Sequence, residues 1–223
     1  FCVEENTGIW RYMSFASFVS LLQTRRLYFQ RADRLIDIYE GKIPELFFYS
    51  WPKEAVDFYL SIHDTCKQHT YVNCWCMGDN ESYAMWQIYG GKNHGVAIHT
   101  TVGNLRKSIF ENGLNMDIKK VKYMDFGKLI NDGMFYDRHK ELLRDNFYAC
   151  KSMEYEYEKE IRIILYDREK PAVKKVNVDV STLIGDIYVN PFAGGWFGEV
   201  VSLTLQQYGL SDKNVIHSKI KLN

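Results

Sequence analysis

Glu154-Tyr155-Glu156-Tyr157-Glu158-Lys159-Glu160-Ile161-Arg162-Ile163-Ile164-Leu165-Tyr166 begins as a run of carboxylates and ends as a run of β-branched and aliphatic residues. From Glu158 onward it reads as a strand, because Ile161, Ile163 and Ile164 suit a pleated, half-buried surface. Period-two alternation puts Glu158, Glu160, Arg162 and Ile164 on one face, and Lys159, Ile161, Ile163 and Leu165 on the other. Three ionisable groups then share a face with an apolar residue, inside a strand, where charges must be paired or serve chemistry. Two readings are open. In one, Glu160 and Arg162 form an ion pair that closes off a core. In the other, a carboxylate stands at the wall of a cleft. Spacing alone favours the ion pair.

The rest of the chain gives this stretch a globular setting. Hydrophobic residues make up 46% of the 223 and aromatic ones 15%, which supplies a full core and excludes a disordered chain. Lys and Arg together number 28 and so do Asp and Glu, so no global field draws in nucleic acid or a membrane surface. Five cysteines, an odd count, point to thiols in a reducing compartment rather than a disulfide scaffold. There is no basic-then-apolar leader and no long uncharged apolar run, so a cytoplasmic protein without a membrane partner is expected.

Taken in order, strands are expected at 9–13, 27–30, 71–77, 95–100, 118–123, 160–166, 173–180, 184–189 and 215–220. Helices are expected after a Ser14 or Ser17 cap and at 44–49, 53–66, 81–89, 102–110, 129–150 and 197–208. Phe18, Leu21 and Leu22 form the stripe of the first helix; Phe135, Leu142, Leu143, Phe147 and Tyr148 are the apolar positions of the 129–150 helix. The Lys170-Pro171-Ala172 loop is hairpin-like, which makes 173–180 the expected neighbour of the 160–166 strand. Strands and helices mix without a strict βαβ repeat. The expected architecture is α+β, one domain over 1–223, with a mixed, mostly antiparallel sheet flanked by helices.

Several constellations bear on chemistry. His63-x-x-Cys66-x-x-His69 followed by Cys74-x-Cys76 is dense in zinc ligands, but the spacing matches no paired knuckle, and no metal is expected. No Ser or Cys has a nucleophile elbow, and Gly90-Gly91-Lys92 lacks the rest of a phosphate loop. Gly194-Gly195 reads as a turn before a helix. Trp86 and Tyr89 lie three apart on one short helix. Paired aromatics sandwich planar rings, although a core helix packed on Gly95-Val96-Ala97 explains the pattern better. The 31–41 loop carries Asp33, Asp37 and Glu40, which cap turns more often than they react. Lys119, Lys120 and Lys122 fit a solvated strand face better than a phosphate-backbone contact.

Four separated segments share an order with a known family. They are Leu27-Tyr28-Phe29 with Asp37 and Glu40-Gly41; Ala84-Met85-Trp86-Gln87-Ile88-Tyr89 with His94-Gly95-Val96-Ala97-Ile98; Tyr157-Glu158-Lys159-Glu160-Ile161-Arg162; and Ile187-Tyr188-Val189-Asn190-Pro191 with Ser218-Lys219-Ile220. On these the chain resembles the bacterial domain of unknown function 2971 family from about Trp10 to Ile220. The family usually has Phe-Asn-Asp-Pro in the first loop. Here it reads Leu35-Ile36-Asp37-Ile38, which leaves Asp37 less rigidly held. This resemblance implies organisation rather than chemistry.

The order of features is also similar to the ADP-ribosyltransferase fold. That resemblance implies NAD as cofactor, Glu160 as catalytic acid, Arg11 or Tyr12 meeting the cofactor, Tyr89 stacking on nicotinamide with Trp86 beside it, and an arginine such as Arg162 pairing with phosphate. Asp37, Glu40 and Glu158 are further acidic candidates. Two functions are therefore carried forward. One is an NAD-using ADP-ribosyltransferase-like enzyme. The other is a non-catalytic module that binds a nucleotide, nucleic acid or protein, with Glu160 and Arg162 as a structural pair.

Overall fold

The computed structural model describes residues 3–109 and 114–220, with the side chains of 142–146 outside that description. In chain order the elements are β1 (Gly8–Ser14), α1 (Phe15–Thr24), β2 (Arg26–Arg31), α2 (Lys53–His69), β3 (Thr70–Met77), α3 (Tyr83–Tyr89), β4 (Gly95–Thr101), α4 (Val102–Ser108), β5 (Met116–Lys120), β6 (Lys122–Met124), α5 (Phe126–Asn131), α6 (Gly133–Asn146), β7 (Cys150–Ser152), β8 (Glu160–Tyr166), β9 (Val173–Asn177), α7 (Val180–Leu183), β10 (Asp186–Val189), α8 (Trp196–Gln207) and β11 (Asn214–His217). The class is α+β, and strand pairing is mostly antiparallel.

Two compact units share the chain. One comprises 28–73 and 114–174; the other comprises the rest, so β2, β3 and β9 each pass from one unit to the other.

The second unit is built around β1. It pairs antiparallel with β4 along its length, from Gly8↔Thr101 to Ser14↔Gly95, and with the end of β3 at Ile9↔Met77 and Trp10↔Cys76. β4 continues antiparallel to β10, and β10 runs parallel to β11. A parallel pair needs a crossover, and α8 supplies it, packing on both strands. Helix α1 starts where expected. Ser14 caps it by accepting from Ser17 N–H at 3.2 Å, and Phe18, Leu21 and Leu22 are its buried stripe. Gly95 has a steric reason to be glycine, since a Cβ there would lie 1.7 Å from the Gly90 carbonyl oxygen.

In the first unit, β8 pairs antiparallel with β5, from Met116↔Leu165 to Lys120↔Ile161, and also with β3. β2 and β3 meet at Gln30↔Val72 and Arg31↔Tyr71, while β6 and β7 form a small parallel pair. Met124, Phe126, Leu129, Tyr136 and Cys150 make a core cluster that Tyr39, Leu46, Phe47, Phe135 and Phe147 extend.

Several expectations are corrected. β8 begins at Glu160, not Glu158. Met153–Glu158 is a 3-10 turn, and Lys159 leaves it in a left-handed conformation, φ 45°. The run of glutamates interleaved with tyrosines follows the turn instead of the strand. β9 is not the neighbour of β8; it pairs with β2. The intervening loop explains this. Tyr71 Oη donates to the Pro171 carbonyl at 2.5 Å, the Asp167 carbonyl meets His69 Nδ1 at 2.7 Å, and Arg31 reaches the Lys170 carbonyl at 3.5 Å. These bonds tie the loop to β2, β3 and the end of α2, so it does not close as a hairpin.

The 118–123 strand is two strands, broken at Val121, whose N–H is taken by the Glu160 carbonyl at 2.9 Å. The 129–150 helix is divided by Asp132, which caps α6; the Leu142 and Leu143 side chains expected in its stripe lie outside the described residues. So does Phe110, the expected end of α4, which closes at Ser108. Residues 44–49 give only a short 3-10 turn, Glu45–Phe48.

Candidate functional site: a buried ring of charges

Three elements of the first unit bring charged side chains together out of water. β8 contributes Glu160 and Arg162, two apart and so on one face. β7 contributes Lys151. The loop after β2 contributes Glu40. All are buried, Glu160 at 8% exposure and Arg162 at 1%.

The contacts form a closed, alternating ring. Arg162 donates from Nε to Glu160 Oε2 at 2.7 Å and from Nη2 to Glu40 Oε1 at 2.7 Å. Lys151 Nζ lies 3.5 Å from the same Glu40 oxygen and 3.4 Å from Glu160 Oε1. The remaining Arg162 arm, Nη1, donates to the Tyr148 carbonyl at 2.9 Å. Two cations and two carboxylates close this ring without net charge. Glu158, also buried, bonds to Lys151 from outside it and hydrogen-bonds to Glu160 as well, bringing a third carboxyl group to the two cations. Lys151 additionally lies 4.4 Å from the centre of the Tyr155 ring.

The ring fixes ionisation. Burial pushes the Glu160 carboxyl up, but Arg162 and Lys151 outweigh it and hold the group below its ordinary value. Burial works against the Lys151 ammonium too, and Glu160 and Glu158 more than reverse it, so this lysine stays charged beyond the ordinary lysine range. Glu160 is positioned from behind by Tyr123, whose Oη accepts its backbone N–H at 2.7 Å. The two Glu160 oxygens differ. Oε2 is taken by Arg162 at two nitrogens, while Lys151 approaches Oε1 at 3.4 Å and the Glu158 side chain also hydrogen-bonds to the group. Cys150, next in the chain to Lys151, is pushed up to about 12 by burial and carries no thiolate at neutral pH.

The ion pair expected between Glu160 and Arg162 is therefore present, but it is part of something larger. Glu40 and Glu158 join it; Asp37 does not. Asp37 is instead firmly anchored, Oδ2 accepting from Ser152 N–H at 2.9 Å and Oδ1 from Tyr39 N–H at 3.0 Å, despite the missing Asn and Pro. No motif or periodicity in the sequence singles out Lys151 or Tyr123. The available signal was a lone cation in the otherwise uncharged run Phe147-Tyr148-Ala149-Cys150-Lys151-Ser152-Met153.

Arg11, Tyr12, Trp86 and Tyr89 belong to the second unit. Arg11 donates to the Cys74 carbonyl at 2.7 Å and lies 5.7 Å from the Trp75 ring centre. Tyr12 meets Trp86 edge-on at 5.0 Å, and its Oη accepts from Ser82 N–H. Trp86 is fully buried, with Nε1 donating to Glu81 at 2.8 Å, whereas Tyr89 on the same helix is 45% exposed. The two rings do not form a sandwich. Glu81 also receives Ser218 Oγ and Lys219 N–H, which fastens the closing segment. Among the described residues no group of three or more His, Cys, Asp or Glu is placed to hold a metal ion. Nor, among them, is any helix long and apolar enough to cross a membrane.

An α+β chain with a sealed, nearly balanced charge ring is the class that fold and site define. Comparison with known proteins finds the following resemblances. The family described as "Protein of unknown function (DUF2971)" matches residues 85–163, a stretch holding both the Trp86–Tyr89 and the Glu158–Arg162 segments. No curated protein matches. Among solved structures, Thermus sp. 2.9 DarT in complex with NAD+ is similar at 16% identity over 98% of each chain, TM-score 0.47. The same protein in complex with ADP-ribosylated ssDNA is similar at 13% identity over 98% of this chain and 97% of that one, TM-score 0.45.

Proposed function

We propose that this chain is an NAD-using ADP-ribosyltransferase-like enzyme and that Glu160 is its acidic residue. The observation that carries the reading is the gathering of three buried carboxyl groups, Glu40, Glu158 and Glu160, around two cations, Lys151 and Arg162. A buried site with one carboxyl group too many is poorly built for stability alone. It is well built to receive positive charge. When the bond between nicotinamide and ribose breaks, nicotinamide leaves with the bonding pair as a neutral ring and C1′ becomes cationic. An acceptor's lone pair then closes on C1′, and the acceptor's proton goes to solvent.

Fixed carboxylates stabilise that cation without having to reorganise. In this proposal Glu160 accepts a hydrogen bond from the ribose hydroxyl. Arg162 and Lys151 keep the group ionised and aimed.

One observation favours the second reading, a binding module with a structural cluster: only a small edge of Glu160 reaches solvent. Calorimetry with NAD followed by nicotinamide release separates the two. The enzyme reading expects binding at or below millimolar NAD, and a loss of release of about a hundredfold or more in Glu160→Gln. No binding by the wild type at millimolar NAD sinks it. So does a Glu160→Gln variant that melts far lower yet releases nicotinamide at an undiminished rate.

A further inference from the structure

Three buried carboxyl groups meet two buried cations in the first unit, so the charges balance only if one carboxyl is neutral. Arg162 makes short bonds to Glu160 and Glu40. Glu158 draws on Lys151, an ammonium that Glu40 and Glu160 also approach, at 3.5 and 3.4 Å. Glu158 is the most deeply buried of the three, at 2% exposure against 4% for Glu40 and 8% for Glu160.

The contact that decides which one is neutral lies between two acids. The Glu158 side chain hydrogen-bonds to Glu160. An ionised carboxyl has acceptors and no donor, so two of them cannot bond to each other unless one carries a proton. The backbone brings them together. Lys159, between them, is exposed and left-handed, φ 45°, while the side chains on either side of it are both buried. Arg162 grips Glu160 Oε2 from two nitrogens and keeps that carboxyl ionised, which leaves the proton to Glu158. The tyrosines nearby bring no charge at neutral pH: Tyr123 and Tyr157 are both pushed up, chiefly by burial, and Tyr155 lies with its ring against Lys151.

We infer that Glu158 holds a proton at neutral pH, and that Glu158 and Glu160 form an acid–carboxylate pair in which Glu158 donates to Glu160 and can pass its proton to a group entering the site. Two cations then face two carboxylates and one neutral acid. The acid uses both its functions, accepting from Lys151 and donating to Glu160. Two carboxyl groups kept in different protonation states by their surroundings are what acid–base chemistry requires. The inference concerns the free protein and does not depend on NAD or on the reaction proposed at Glu160.

The infrared C=O stretch of a protonated carboxyl, recorded at pH 7, tests it, because ordinary Asp and Glu side chains, with values of about 4, are ionised there. A protonated-carboxyl band is expected in the wild type and should be lost in Glu158→Gln. That variant should melt within a few degrees of the wild type, since an amide accepts from Lys151 and donates to Glu160 as the acid does. Carbon-13 labelling of glutamate in the wild type keeps the test decisive should the variant misfold: the Glu158 carboxyl carbon should resonate as an acid and that of Glu160 as a carboxylate. A Glu158 signal at the carboxylate position at pH 7 overturns the inference. So does a protonated-carboxyl band that Glu158→Gln leaves in place, or a folded Glu158→Gln protein melting lower by about 10 °C or more, the loss expected from breaking a buried ion pair.

Discussion

The two units bury their polar and aromatic side chains by opposite means. In the first, Glu40, Lys151, Glu158, Glu160 and Arg162 are taken out of water together. In the second, Trp10, Tyr12, Cys76, Met85, Trp86, Ala97 and Tyr188 make an apolar cluster, in which Trp10 Nε1 donates to the Gly78 carbonyl and Trp86 Nε1 to Glu81. Apolar burial is worth something group by group. Charge burial is worth little by group and holds only as a set, because each ion's desolvation is offset by its neighbours alone. Removing one member therefore has consequences in the first unit that depend on sign, and consequences in the second that depend on volume.

The largest expected effect follows from sign. Arg162→Met leaves three carboxyl groups facing one ammonium, and takes a short donor from Glu40, Glu160 and the Tyr148 carbonyl at once. The loss should be about 5 kcal/mol, the upper end of what breaking a buried pair costs. At about 2–4 °C per kcal/mol, that is a melting temperature lower by 10 °C or more. Adding Glu160→Gln should recover part of it, since the double variant carries one fewer unmatched charge. A coupling of about 1–3 kcal/mol between the two, read from denaturant midpoints, would show that they act as one unit. Strict additivity would show that the ring is not a set.

Trp86→Ala is the matching test in the second unit. It empties a fully buried indole site and leaves Glu81 with one donor fewer, at about 3–4 kcal/mol. Here volume rules, so Trp86→Phe should recover most of the loss. If Phe does no better than Ala, the indole N–H and not the packing holds this cluster, and the contrast between the units weakens.

How much of this was readable beforehand differs between the units for the same reason. Short-range signals carried well. The cap of α1 is legible as Ser14 or Ser17, of which Ser14 serves, and its stripe as Phe18, Leu21 and Leu22. Glu160 and Arg162 declared their pairing because a strand puts alternate residues on one face. The closing members of the ring, Glu40 and Lys151, come from other elements, and no local periodicity points to them. Glu158 was assigned to the correct company by the wrong geometry. It reaches Lys151 from a 3-10 turn and not along the strand. The neighbour of β8 was missed because a loop held by Tyr71 and His69 decided it, and strand alternation says nothing about which edge a strand will join.

Acid should distinguish Glu160 from its amide with a smaller effect. Its carboxyl is held below the ordinary value in the folded chain, so it binds protons more readily unfolded. The stability it contributes is complete above the unfolded value, about 4.3, and is lost as pH falls through the folded value. Lys151 is shifted the other way, so its contribution is complete below about 10.4 and is lost as pH rises through the folded value. Between these limits the contribution of these two groups should be flat. Any stability gap between wild type and Glu160→Gln near neutrality should close as pH falls, because a protonated glutamate and a glutamine are alike in charge. A gap that persists unchanged to pH 3 would mean the carboxyl never gained from ionisation.

The smallest effect is expected three residues from one of the largest. Tyr89 shares α3 with Trp86, but its ring is about half in water, and the helix ends immediately after it at Gly90. An exposed aromatic at a helix end supports little packing, so Tyr89→Ala should change stability by about 0.5 kcal/mol or less. Set against Trp86→Ala, the pair measures how steeply burial falls along one short helix. Equal losses at the two positions would mean that the Tyr89 ring is covered in solution, and the second unit would then hold a larger apolar cluster than its seven buried members.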